Sequence, residues 1–86
     1  MGGFMKAYHY AFDDKGVRLT SIIDAENLRH AAKLFFDSPN GEFFRNKHKI
    51  TDDLSHGFSD EPEHESGEVE TPGWTLKIKV YQRGDY

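Results

Sequence analysis

The chain predicts an α+β fold: a small antiparallel β-sheet of three to four strands, in the order β-β-α-loop-β, with one main helix packed on one face. Three observations predict it. Two segments of alternating side chains flank a polar turn near the N-terminus, a stretch of helical periodicity follows, and another alternating segment lies near the C-terminus. Residues 1–86 form a single domain, and a chain this short buries only about 60% of its surface. Leu, Ile, Val and Phe account for 19 residues, just above the roughly 20% below which disorder is the default. Seven Phe, four Tyr and one Trp tip the balance toward folding, because each aromatic side chain buries about 150–250 Å².

Residues 4–12 (Phe-Met-Lys-Ala-Tyr-His-Tyr-Ala-Phe) alternate large with small side chains, and residues 17–23 (Val-Arg-Leu-Thr-Ser-Ile-Ile) are β-branched or apolar in rough alternation. Between them, Asp13-Asp14-Lys15-Gly16 pairs a turn-initiating Asp with a Gly able to take positive φ, which predicts a β-hairpin with a four-residue connection. Asp24 then precedes a helical stretch as its expected N-cap, and Glu26 suits the positive end of the helix dipole. Leu28, Ala31, Ala32 and Phe35 fall at i, i+3, i+4 and i+7, one apolar stripe, while Arg29 and Lys33 occupy the opposite side. The two alanines let this helix lie close against a sheet. Pro39 with Asn40-Gly41 ends it.

Residues 42–50 fit two readings. Ser38-Pro39 can cap a second short helix with Pro in its first position, or Phe44 to Ile50 can form an edge strand studded with Lys; the balance leans to a helical turn. Residues 51–73 hold two prolines, three glycines and a run of acids, with Leu54, Phe58 and Val69 as the sizeable apolar residues. They read as an acidic, mobile loop within the domain, pinned in part by Leu54 and Phe58. From Trp74 the chain alternates again, with Trp74, Leu76, Ile78 and Val80 on one face and Thr75, Lys77, Lys79 and Tyr81 on the other. A crossover from the second strand through the helix makes this last strand a neighbour of the first.

Charge is segregated. Between Thr51 and Glu70 there are eight carboxylates and no Lys or Arg, whereas the other 66 residues hold seven acids and eleven bases. The net charge of −4 is therefore +4 set against −8. There is no cysteine, hence no disulfide framework and no thiolate chemistry. No apolar run approaches the ~18 residues of a membrane span, and residues 1–5 lack the basic flank and apolar core of a signal peptide. These features lead to the expectation of a soluble, cytoplasmic protein.

Enzyme chemistry finds no foothold in the pattern. Ser55 beside His56 is the one adjacent nucleophile–base pair, and no glycine-rich phosphate cradle is present. His56 and His64, eight residues apart among acids, match no compact ligand spacing, and Asp52-Asp-Leu-Ser-His-Gly lacks the alternating oxygen donors of a calcium loop. No catalytic residue, metal site or cofactor is assigned.

Two binding readings remain. In the first, a non-enzymatic module docks on a larger protein: Asp60, Glu61, Glu63 and Glu65 steer, and Phe43, Phe44, Phe58 and Trp74 supply desolvated anchors. In the second, Lys6, Tyr8, Tyr10, Lys77 and Lys79 share an open sheet face that stacks bases and meets the phosphates of RNA or single-stranded nucleic acid, extended by Arg45, Lys47, His48 and Lys49. The acid run would repel phosphate, which favours the first. The open face also offers a surface for homodimer formation. As a very small acidic α+β chain without cysteines or catalytic motifs, the protein resembles the inhibitors that bacteriophages encode against host or defence proteins. That resemblance is one of size and character and covers no specific motif. It implies a viral inhibitor acting by surface occupation.

Overall fold

The computed structural model of the protein describes residues 5–81. Its elements are β1 (Lys6–Asp14), β2 (Val17–Ala25), α1 (Leu28–Asp37), α2 (Pro39–His48), a 3₁₀ turn (Leu54–Gly57), β3 (Ser66–Glu70) and β4 (Trp74–Val80). One antiparallel sheet in the order β2-β1-β4-β3 carries the helical layer on one face, so the last strand does lie beside the first. The part of the N-terminal strand expected at Phe4 falls outside the described residues.

The hairpin is tighter than expected. Asp14 already belongs to β1, leaving a two-residue loop, Lys15-Gly16, at φ 51° and 90°. Positive φ at both positions is the type I′ turn that matches the twist of a hairpin. The Asp13 carboxylate accepts the Gly16 N–H at 3.3 Å, which secures it.

Asp24 does not cap α1; it remains in β2, paired with Ala7. The cap is Asn27, whose side chain accepts the His30 N–H at 2.8 Å. Leu28, Ala31, Ala32 and Phe35 are all buried, as the stripe requires, and Phe36 joins them. Residues 39–48 are a full helix rather than a Lys-studded strand: the Ser38 hydroxyl accepts the Gly41 N–H, and Pro39 occupies the first turn. Gly41 is where α2 crosses the end of α1. A Cβ there would stand 2.1 Å from the Phe35 carbonyl oxygen and 2.5 Å from the Phe36 Cα, so no larger residue fits without moving backbone.

The acidic stretch contains more regular structure than a loop. Residues 66–70 form β3 on β4, with Gly67 and Val69 turned inward and Ser66, Glu68 and Glu70 outward. The connection from β3 to β4 is held by Thr71, which donates its N–H to the Trp74 carbonyl at 2.8 Å while its hydroxyl accepts the Trp74 N–H at 3.1 Å.

The core lies between the sheet and the helices, and it is aromatic. Phe35 packs on Tyr10 and Phe12 at ring separations of 4.8 and 5.5 Å, and Phe44 meets Phe12 at 4.4 Å and Trp74 edge-on at 4.9 Å. Leu28, Leu76, Ile78 and Phe58 complete it.

Candidate protein-binding surface

The acidic segment begins on the 3₁₀ turn. Asp53 caps that turn, accepting the Ser55 N–H at 3.1 Å and the Ser55 hydroxyl at 2.6 Å. Those donors hold its carboxyl below the usual carboxylate range, against an opposing effect of burial. Phe58 then enters the core and Leu54 packs against that core, half-buried, so the two pin this part of the segment as their spacing predicted.

Arg29, which the helical stripe places on the polar side of α1, fastens the next residues. Its N–H reaches the Ser59 carbonyl at 3.0 Å, its Nε the Phe58 carbonyl at 3.0 Å, and its Nη1 the Asp60 carboxylate at 3.2 Å. Further on, Lys6 Nζ donates to the Pro62 carbonyl at 2.5 Å and the Val80 N–H to the Glu65 carbonyl at 2.8 Å. The segment is thus tied to α1, β1 and β4 in turn. Glu61, Glu63 and Glu65 are exposed between these ties, and Glu68 and Glu70 continue the carboxylates along β3. Glu63, Glu65, Glu68 and Glu70 make no ion pair among the described residues. His56 and His64 each lie against the carboxylate three residues before, Asp53 at 3.3 Å and Glu61 at 3.5 Å.

The expected anchors divide. Phe43, at 70% exposure, stands out from α2. Phe44, Phe58 and Trp74 are buried in the core and cannot act as surface anchors. In a chain with so few aliphatic side chains, these rings are what fills the space between helices and sheet.

The basic, aromatic sheet face expected for nucleic acid does not form. Tyr8 and Tyr10 are buried on the helix side, at 0% and 7% exposure, and Lys6 shares their side of the strand. The outward positions of β1 are Ala7, His9, Ala11 and Asp13. The signal for this was Phe12, which has the parity of Tyr8 and Tyr10: two alanines and a histidine could not have built a core. Lys77 and Lys79 do face outward, but Lys77 stands directly across from Glu68 on β3. The open face therefore mixes charges, around a shallow depression of about 350 Å³ among His9, Arg18, Glu68, Lys77 and Lys79. Of the four flanking bases, Arg45, Lys47 and His48 are engaged elsewhere. Arg45 Nε donates to the Phe36 carbonyl, and Lys47 and His48 both meet Asp14.

Sequence reasoning missed three contributors. Glu68 and Glu70 are carried on a strand rather than a loop, a placement that the inward pair Gly67 and Val69 could have suggested. Arg29 acts as the clamp on the acidic segment, through contacts distant in sequence that no local pattern encodes. No helix among the described residues is long and apolar enough to cross a membrane. Comparison with protein families, with curated proteins and with solved structures returned no match.

Proposed function

We propose that the protein is a non-enzymatic protein-binding module that occupies a basic surface of a larger partner, as a small inhibitor would. The observation that supports this is the tethering of the acidic segment. Carboxylates at Glu61, Glu63 and Glu65 stand exposed on a backbone tied at Arg29, Lys6 and Val80. A charged surface held in this way pays less ordering entropy on binding than a free loop of the same composition. It also focuses a steering field over one side of the molecule. Phe43 adds an exposed apolar contact on α2.

The reading is tested by association kinetics against a partner captured from the source cell. Replacing Asp60 with Asn and Glu61, Glu63 and Glu65 with Gln is expected to slow association about ten-fold or more at low salt. The difference should vanish near 1 M salt, where the screening length is about 3 Å. Equal association rates for the two proteins at low salt would remove the acidic segment from recognition.

A further inference from the structure

The two edges of the sheet are built differently. β3, at one edge, is five residues long and carries Glu68 and Glu70. Shortness and charge are how natural sheets keep an edge from pairing. β2, at the other, runs for nine residues without Pro or Gly, and its charges are confined to Arg18 and Asp24. Six of those nine residues are exposed, among them Ser21 at the centre, so the helical layer stops short of this edge. Val17 and Ile22 are 61% and 43% exposed.

The hairpin fixes which backbone groups point outward. With a two-residue loop, Asp14 and Val17 form the closing hydrogen-bonded pair, and every second pair after them repeats it. Residues 19, 21 and 23 then bond to β1, while 18, 20, 22 and 24 turn their N–H and C=O groups away from the sheet. The opposite side of β1 agrees: the Ala7 carbonyl, at an odd position, accepts from Tyr81 across the β4 side at 2.8 Å.

β2 is complementary to itself. An antiparallel pair about a two-fold axis at Ser21, the midpoint of the strand, uses all nine residues and forms a seam of ~30 Å. It sets Arg18 opposite Asp24 of the second copy, and Asp24 opposite Arg18, on the open face. Thr20 meets Ile22 on that same face. On the helix side Leu19 meets Ile23, and Ser21 meets its own symmetry mate with no bulk between them. Moving the axis by one residue to Thr20 leaves Arg18 against Ile22 and Asp24 against the turn. Moving it to Ile22 pushes Arg18 off the end of the strand. We infer that β2 pairs with β2 of a second copy in the Ser21-centred register, joining two four-stranded sheets into one of eight strands. The seam is the edge of the sheet rather than its open face.

The chain has no cysteine, which makes the register directly readable. Facing residues of a non-hydrogen-bonded antiparallel pair have Cα atoms about 4.5 Å apart, within disulfide range. Under mild oxidation Ser21→Cys is expected to run as a covalent dimer and Thr20→Cys as a monomer. The unmodified protein should sediment at twice its 9.9 kDa chain mass. Arg18→Asp and Asp24→Arg each place like charges opposite at both ends of the seam, so each alone should shift to monomer and an equimolar mixture should return to dimer. Unmodified protein that sediments as a monomer up to its solubility limit would overturn the inference, including the case in which it binds only an added extended peptide. Cross-linking of Thr20→Cys in preference to Ser21→Cys, or a mixture of the charge variants that stays monomeric, would overturn it equally.

Discussion

Asp14 shows what a single residue can decide in a core this small. It is 5% exposed at the end of β1, and one carboxylate oxygen accepts from Lys47 Nζ at 2.9 Å and His48 Nε2 at 3.1 Å. This clamp fastens the last turn of α2 to the hairpin, with the His48 ring packed on Phe44. The two donors hold the carboxyl below its ordinary range. A folded pKa below the unfolded one, about 3.9, means that the contribution is complete above that value. It is lost as pH falls through the folded pKa, because the unfolded chain then binds the extra proton. Urea midpoints measured from neutral pH into acid should therefore decline below about pH 4. Asp14→Asn should lower the neutral midpoint and flatten that decline. Asp53 is shifted in the same direction, so the difference between the two proteins, rather than either curve, isolates Asp14. None of this was legible locally: Asp14 reads as a turn residue, and its partners lie 33 and 34 positions away.

At the scale of elements, legibility followed the length of the periodic signal. α1 and β4 were readable because the stripe Leu28-Ala31-Ala32-Phe35 and the alternation from Trp74 to Val80 are sustained and bury what they promise. β3 was not, since its five residues present only Gly67 and Val69 to the core and match a charged loop as well as a strand. The sheet face of β1 was misassigned for a related reason. Tyr and Phe alternate with Ala and His, and only the demand for core volume tells which parity goes inside. The acidic segment owes its placement to Phe58, one buried ring between the 3₁₀ turn and the Arg29 clamp. Phe58→Ala should cost about 3–5 kcal/mol in urea unfolding, in the range for emptying a buried aromatic site. Limited proteolysis should also cut within residues 59–65 sooner than in the parent, because local opening no longer has to withdraw the ring.

Over the whole molecule, the sequence showed the separation of charge but not its arrangement. Strand order places the acidic β3 and the self-complementary β2 at opposite edges of one sheet, with β1 and β4 between them. A dimer joined at β2 then has the order β3-β4-β1-β2 followed by its mirror sequence, and an acidic strand at each far end. Seven strand spacings of about 4.8 Å put the two acidic edges ~34 Å apart along the sheet. Two identical binding edges at a fixed separation convert the second contact into an intramolecular event whenever partner sites lie within reach. On a surface densely coated with partner, dissociation of the parent protein should be slower than on a sparse one by 10²-fold or more. Thr20→Pro offers the matching control, because the lost N–H points away from β1 and edge strands tolerate proline there. That variant should remain folded, match the parent on the sparse surface, and show no dependence on coating density. Equal density dependence in the two proteins would mean that valency does not come from β2, whatever the acidic edge binds.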